Sequence, residues 1–274
     1  FFAYPGKPSY LVPDNCTVHT LSTPDQDATA SLVKLAVALG ATQAQPRLQA
    51  AVRPGRPRGK LTAPKVCKAV GHLLPENAIL IDEAITSGLM LGAMTAGCPR
   101  HDLITLTGGA IGQGLPNAVG AAVACPDRPV VALVGDGTAM YTIQALWSMA
   151  RENLHVVSII FNNASYSVLN VELERVGADS GGVKARSQLD LNGPRLNFAQ
   201  LAQGMGVHAV RTNTAEDFTK ALEYALATPG PHLIEALVPE SLSGVKRRVL
   251  PWLLRSLPNL PLPLAQALKR KVAP

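Results

Sequence analysis

No apolar run in this 274-residue chain approaches the roughly 18–20 residues that a bilayer span needs. The longest, Val130–Val134 and Val156–Phe161, have the length of strands, and no membrane association is expected. A secretory leader is not expected either, because no basic segment runs into an apolar one at the amino end. Phe1 is not an initiator Met, and Phe1–Tyr4 reads as a strand already under way, so the chain is expected to be a fragment or a start-shifted product. Cysteine is sparse: Cys16, Cys67, Cys98 and Cys125 lie far apart with no Cys-x-x-Cys, which argues against a zinc knuckle or a disulfide framework. Reduced thiols and a cytoplasmic location are the expectation. The six histidines include no i, i+4 pair, so a histidine-based metal site is disfavoured.

Acid is missing from two stretches. Residues 43–60 hold Arg47, Arg53, Arg56, Arg58 and Lys60, and residues 241–274 hold Lys246, Arg247, Arg248, Arg255, Lys269, Arg270 and Lys271, without one Asp or Glu. Twelve of the 25 basic residues sit there, which leaves 13 against all 19 acids. The formal charge of +6 therefore belongs to the flanks, and the body is net acidic. A basic face for nucleic acid is not expected on it.

What is present is an alternation of helices and strands. Residues 1–42 read as strand, loop, a second short strand at Val18–Leu21, then a helix over about 26–39, capped by Thr23 or Asp25 and stopped by Gly40. Residues 43–60 are rich in Pro, Gly and Arg and read as a solvated linker. From Leu61 to Glu240, helices are predicted over 63–74, 87–96, 115–124 (with Pro116 near its start), at Gln144 after Gly137, 198–203 and 215–227. Strands are predicted over 78–82, 103–106, 130–134, 156–161, 208–211 and 232–237, with an irregular stretch over 168–196. Near-continuous apolar strands between amphipathic helices indicate an α/β fold, a parallel sheet with helices on both faces. The tail 241–274, with Trp252, Leu253 and Leu257, reads as a segment that packs on the body or a partner, stays disordered, or touches lipid.

In such sheets ligands bind beyond the carboxyl ends of strands. Two polar clusters fall there: Gly135-Asp136-Gly137 after one apolar strand and Asn162-Asn163 after the next, with 24 residues between them. Either cluster alone is a common turn. Together they supply what a metal-bound diphosphate needs: a carboxylate on Asp136, an amide oxygen on Asn163 and a turn carbonyl beyond it, the oxygen donors Mg²⁺ prefers. Gly137 permits close backbone approach, Thr138 adds a hydroxyl, and the following helix would point its N–H groups at the anion. No Gly-Lys-Ser/Thr follows, so this is no P-loop, and residues 108–114 do not fit a Rossmann fingerprint.

The pairing of GDG with NN about two dozen residues later resembles the signature of thiamine-diphosphate enzymes. Residues 61–240 look like the diphosphate-binding domain of their decarboxylase and carboligase branch, which includes acetolactate synthases and benzoylformate decarboxylase, and residues 1–42 look like the end of that branch's middle domain. The resemblance implies Mg²⁺ ligation by Asp136, Asn163 and the Ser165 carbonyl, with Gly135, Gly137, Thr138 and Tyr166 beside the diphosphate. It also implies that Gly109, in the segment 109–116 (GAIGQGLP), accepts from the cofactor's aminopyrimidine through its carbonyl, with Ile111 as the apolar wedge under the cofactor. Thr86 and Ser87, in DEAITS, match a phosphate-side loop; capping of a helix is the other reading of the same pair.

Ile85 stands where some relatives carry a polar residue, so no substrate contact is carried over there. The family substrate is a 2-oxo acid, and its members are homo-oligomers, dimers or tetramers. The glutamate that activates the cofactor belongs to an N-terminal pyrimidine-binding domain, so no catalytic residue is assigned in this chain. Glu152, Glu172 and Glu174 read as surface acids. The chain alone is expected to be inactive, either as part of a decarboxylase or carboligase or as a non-catalytic or split-subunit module. FAD, which the acetolactate synthase branch often binds through its middle domain, stays open, because residues 1–42 hold too little of that domain.

Overall fold

The structure is a computed structural model that describes residues 12, 13, 15–45, 48–175 and 182–240. The segments expected at Phe1–Tyr4 and 241–274 lie outside the described residues. The chain divides into two compact units, Phe1–Ala50 and Ala51–Pro274.

The first unit is built on α1 (Ala28–Ala38). Its cap is Asp27, which accepts from the Ala30 N–H at 3.0 Å, rather than Thr23 or Asp25. Gly40 adopts a left-handed φ of +63° and ends the helix as expected. No α1 residue is buried. Val18–Leu21 forms no strand, which corrects that expectation: it pairs with no segment among the described residues, and a lone stretch satisfies no ladder.

The second unit begins inside the stretch expected to be a linker, and residues 51–60 are anchored rather than free. Arg53 donates to the carbonyls of His72 and Leu74, Arg56 makes a two-bond ion pair with Glu223, and the Gly59 N–H donates to the Glu216 carboxylate. Arg53 and Arg56, which read as solvated, are thus tied to carbonyls and to an acid elsewhere in the unit. Next come α2 (Ala63–Leu73), β1 (Ala78–Glu83), α3 (Leu91–Thr95), β2 (His101–Thr105), α4 (Gly114–Ala124) and β3 (Val130–Gly135). They are followed by α5 (Asp136–Ala139), α6 (Ala145–Arg151), β4 (Val156–Asn162), α7 (Ser167–Arg175), α8 (Val183–Ser187), α9 (Phe198–Gly204), β5 (His208–Thr212), α10 (Ala215–Ala227) and β6 (His232–Leu237).

Three expectations change. The helix expected over 87–96 is only α3, because 85–90 turns. The helix expected at Gln144 is α6, with Gln144 as its first flanking residue, but the turn at Asp136–Ala139 that precedes it is a separate helix, α5. The stretch expected to be irregular carries α7 and α8.

All six strands are parallel, in the order β2-β1-β3-β4-β6-β5. Alternate side chains serve opposite faces. On one face Leu80, Leu133, Ile159 and Ile234 pack with α2 and α10, for example against Val66 and Phe218. On the other, Ile79, Ala132, Ile160 and Leu233 pack with α4, α6 and α9, for example against Leu115, Leu146 and Phe198. From β1 the chain moves outward to β2 and then returns across β1 to β3. The carboxyl ends of β1 and β3 therefore flank a switch point, the place where such sheets leave a crevice.

Candidate functional site

Asp136 begins α5 directly after β3 and is 4% exposed. Its Oδ1 accepts from the Gly137 N–H at 2.8 Å and its Oδ2 from the Ala164 N–H at 2.6 Å. Burial pushes its pKa up to about 6, and the backbone donors of Gly137, Ala164 and Asn163 hold it below what burial alone would give. The second of those bonds joins the end of β3 to the end of β4, its paired neighbour.

Asn163 lies just past β4 and folds back on its loop, its Oδ1 accepting from the Ser165 N–H at 2.9 Å. Ala164 between them has φ +55°, a left-handed conformation rare for a residue with a side chain. The Ala164 carbonyl accepts from Leu191 N–H and the Tyr166 carbonyl from Leu169 N–H, whereas no backbone N–H among the described residues donates to the Ser165 carbonyl. The Ser165 hydroxyl donates to Glu240 and accepts from Asn170, beside a cavity of about 240 Å³ lined also by Asp190 and Asn192. Ser167, two residues on, is 3% exposed, and its Oγ has no hydrogen-bond partner among the described residues. A buried hydroxyl left this way costs about 1–3 kcal/mol, which a bound group or a water would recover.

Gly137 is required by its neighbour: a Cβ there would overlap the Tyr166 ring. The sequence reading gave this glycine to the phosphates alone. Thr138 donates its hydroxyl to the Gly135 carbonyl at 3.0 Å, so that donor is already in use. The helix expected to point its N–H groups at the anion is here the single turn α5, four residues long, so its dipole is short.

Across the switch point, Thr86 and Ser87 lie in the turn after β1. Thr86 is half-buried and Ser87 buried. Neither caps a helix, since α3 starts after Met90 and has no side-chain cap. Gly109, with φ +72°, follows Gly108, with φ +63°, and Ile111 is 43% exposed, so the loop 108–111 turns an apolar side chain toward solvent.

Two groups escaped the sequence reading. Glu83, at the end of β1, is 1% exposed, and its carboxylate accepts from the N–H groups of Gly112 and Gly114, the latter at 2.7 Å. Burial raises its pKa and those bonds oppose the rise. The signal that could have found it is an acid closing an otherwise apolar strand. The other is Glu235 on β6, fully buried. It accepts two bonds from Arg211, one from the Ala199 N–H and one at 2.6 Å from Asn162, the first Asn of the pair. Asn162 thereby fixes the end of β4 from which Asn163 departs. Glu152 is an exposed acid paired with Arg151. Glu172 lies on α7, and the Glu174 side chain lies outside the described residues.

The site can therefore place a carboxylate, an amide oxygen and a carbonyl at two adjacent strand ends. That is an all-oxygen set suited to a hard divalent cation.

Comparison with known proteins follows the same geometry. The family model for the thiamine pyrophosphate enzyme, C-terminal TPP binding domain, matches residues 88–236. The chain is 53% identical over 240 residues to the "Putative acetolactate synthase large subunit IlvX" of Mycobacterium tuberculosis, covering 87% of this chain and 46% of that protein. It is 33% identical over 193 residues to the benzoylformate decarboxylase of Pseudomonas aeruginosa, covering 70% and 35%. Among solved structures it resembles the thiamine diphosphate-dependent 4-hydroxybenzoylformate decarboxylase of Rhodococcus jostii, with a TM-score of 0.60, 34% identity, and coverage of 73% of this chain and 36% of that one. The chain thus spans less than half the length of each of these three proteins.

Proposed function

The chain belongs to the thiamine pyrophosphate enzymes through their C-terminal TPP binding domain, and from that premise we propose that it is the diphosphate-holding part of a thiamine diphosphate- and Mg²⁺-dependent 2-oxo acid decarboxylase or carboligase, active as a homo-oligomer. One observation carries the reading: Asp136 is buried at the end of β3, its two oxygens braced by backbone N–H groups, with Asn163 at the neighbouring strand end. Each brace uses one lone pair, so each Asp136 oxygen keeps another for a cation. The Asn163 amide oxygen and the Ser165 carbonyl complete a set of three protein ligands. The orphaned Ser167 hydroxyl and the strained Ala164 fit a loop shaped for a bound group.

Gly135, Gly137, Thr138 and Tyr166 surround the diphosphate. Thr86 and Ser87 face it from the β1 side. The Gly109 carbonyl and Ile111 hold the ring end, the first as acceptor and the second as apolar support. When bound, the cofactor supplies the electron sink that lets a 2-oxo acid lose CO₂. The chain's own residues bind, orient and neutralise; none of them is assigned a proton transfer at the reacting carbon.

Purified residues 1–274 are expected to bind thiamine diphosphate when Mg²⁺ is present, and to leave pyruvate, benzoylformate and 2-oxobutanoate unconverted. CO₂ release from any of the three by this chain alone would overturn the expectation that it holds the cofactor without activating it. Absence of Mg²⁺-dependent binding would overturn the cofactor reading.

A further inference from the structure

We infer that Glu83 is a positioning residue that sets the ring end of the candidate site. The inference rests on the reading above, and it concerns a residue outside the stretch matched by the family model.

Glu83 is the last residue of β1 and is buried to 1%. A carboxylate placed there without partners would be strongly disfavoured. Its partners are all backbone donors of one loop: Gly112 N–H on Oε1 and Gly114 N–H on Oε2, with the Gln113 N–H also directed at it. The same loop is held from its other side, because Thr142 donates to the Gly112 carbonyl at 2.6 Å. Gly112 has φ +92°, and a Cβ there would stand 2.7 Å from the Tyr141 Cβ. The segment 112–114 is therefore fixed on both sides, and it is the root from which Gly109 and Ile111 extend into solvent. Toward the clamp Glu83 offers its main-chain carbonyl, which accepts from the Thr138 hydroxyl at 3.4 Å and which a side-chain variant keeps; its carboxylate accepts nothing from Asp136 or Asn163. Loss of the carboxylate should free the ring end and spare the diphosphate end.

Glutamine keeps the shape of Glu83 but offers one acceptor and one donor to a loop that presents only donors. The test compares two probes on the 274-residue chain with Mg²⁺: thiamine diphosphate, which would use both ends, and inorganic pyrophosphate, which would use only the clamp. In Glu83→Gln, calorimetry is expected to show thiamine diphosphate affinity lower by about tenfold and pyrophosphate affinity unchanged within about twofold. Hydrogen exchange in a peptide covering 108–114 is expected to quicken, with 135–138 and 163–166 unaltered. Glu83→Asp keeps the charge but shortens the reach, and should give the same selective loss if the glutamine variant does not fold.

Equal weakening of both probes, or no change in either, would overturn the positioning role. So would a wild-type chain that binds thiamine diphosphate no better than pyrophosphate. A wild-type chain that binds neither probe would instead remove the cofactor reading on which the inference stands.

Discussion

At the β3–β4 end of the candidate site the Asp136 carboxylate is buried and braced by backbone donors, whereas at the β1–β2 end the loop 108–111 lies open to solvent. The Asp136 carboxylate is 4% exposed and braced by two strand-end loops. Ile111 is 43% exposed. The first end is preorganised by the sheet itself: adjacent parallel strands stop in register, and each is followed by a side-chain oxygen, Asp136 after β3 and Asn163 after β4. The second end is preorganised indirectly, through one carboxylate that grips the root of a glycine loop. A charged ligand such as a metal diphosphate needs fixed dipoles before it arrives, since rearranging them is costly in a low-dielectric crevice. An apolar wedge needs only a surface, and it can stay exposed until a ligand or another domain covers it.

The contrast can be broken from the deep end outward. Arg211→Met should have the largest effect on stability. It would leave the fully buried Glu235 with only Asn162 and the Ala199 N–H, and lower the unfolding free energy by about 3 kcal/mol in urea titration. Gly137→Ala should come next at about 2 kcal/mol, because the new methyl must displace the Tyr166 ring packed on the clamp.

A pH effect of about 1 kcal/mol should follow from Asp136. Its folded pKa is about 6, above the usual 3.8, so between those values the folded chain holds a proton that the unfolded chain has lost. The stability from this group is therefore present in acid and is lost as pH rises through about 6. Unfolding curves for the ligand-free chain at pH 5 and 7.5 should show it as a difference from Asp136→Asn. Mg²⁺ should act in the opposite sense, since the cation and the proton compete for the same oxygens, and Mg²⁺-dependent pyrophosphate binding should weaken below about pH 6. At the shallow end, Ile111→Ala should move stability by no more than about 0.5 kcal/mol while weakening thiamine diphosphate binding. A large stability loss there would mean that the loop is core and that the contrast is wrong.

Much of this was legible in the sequence, for a physical reason. The sheet announced itself because buried parallel strands are apolar runs, and the residues that follow each run stand at the carboxyl edge. Asp136 and Asn163 could therefore be placed together before any coordinates. What stayed hidden depends on partners far along the chain. Glu83 reads as one acid beside another until the 112–114 loop is seen to fold over it. Arg56 and Gly59 read as linker until Glu223 and Glu216 on α10 come alongside. The apolar residues of α7, Val168, Leu169, Val171 and Leu173, form no single helical stripe, and α8 is mostly polar, so 168–196 gave no periodic signal.

The central claim is that Asp136 anchors a metal-bound diphosphate at this switch point. Isothermal titration of thiamine diphosphate into the chain and into Asp136→Ala, each with Mg²⁺ and with EDTA, tests it most directly. Binding is predicted only for the wild-type chain with Mg²⁺. Unchanged affinity in Asp136→Ala, or in wild type with EDTA, would contradict the account.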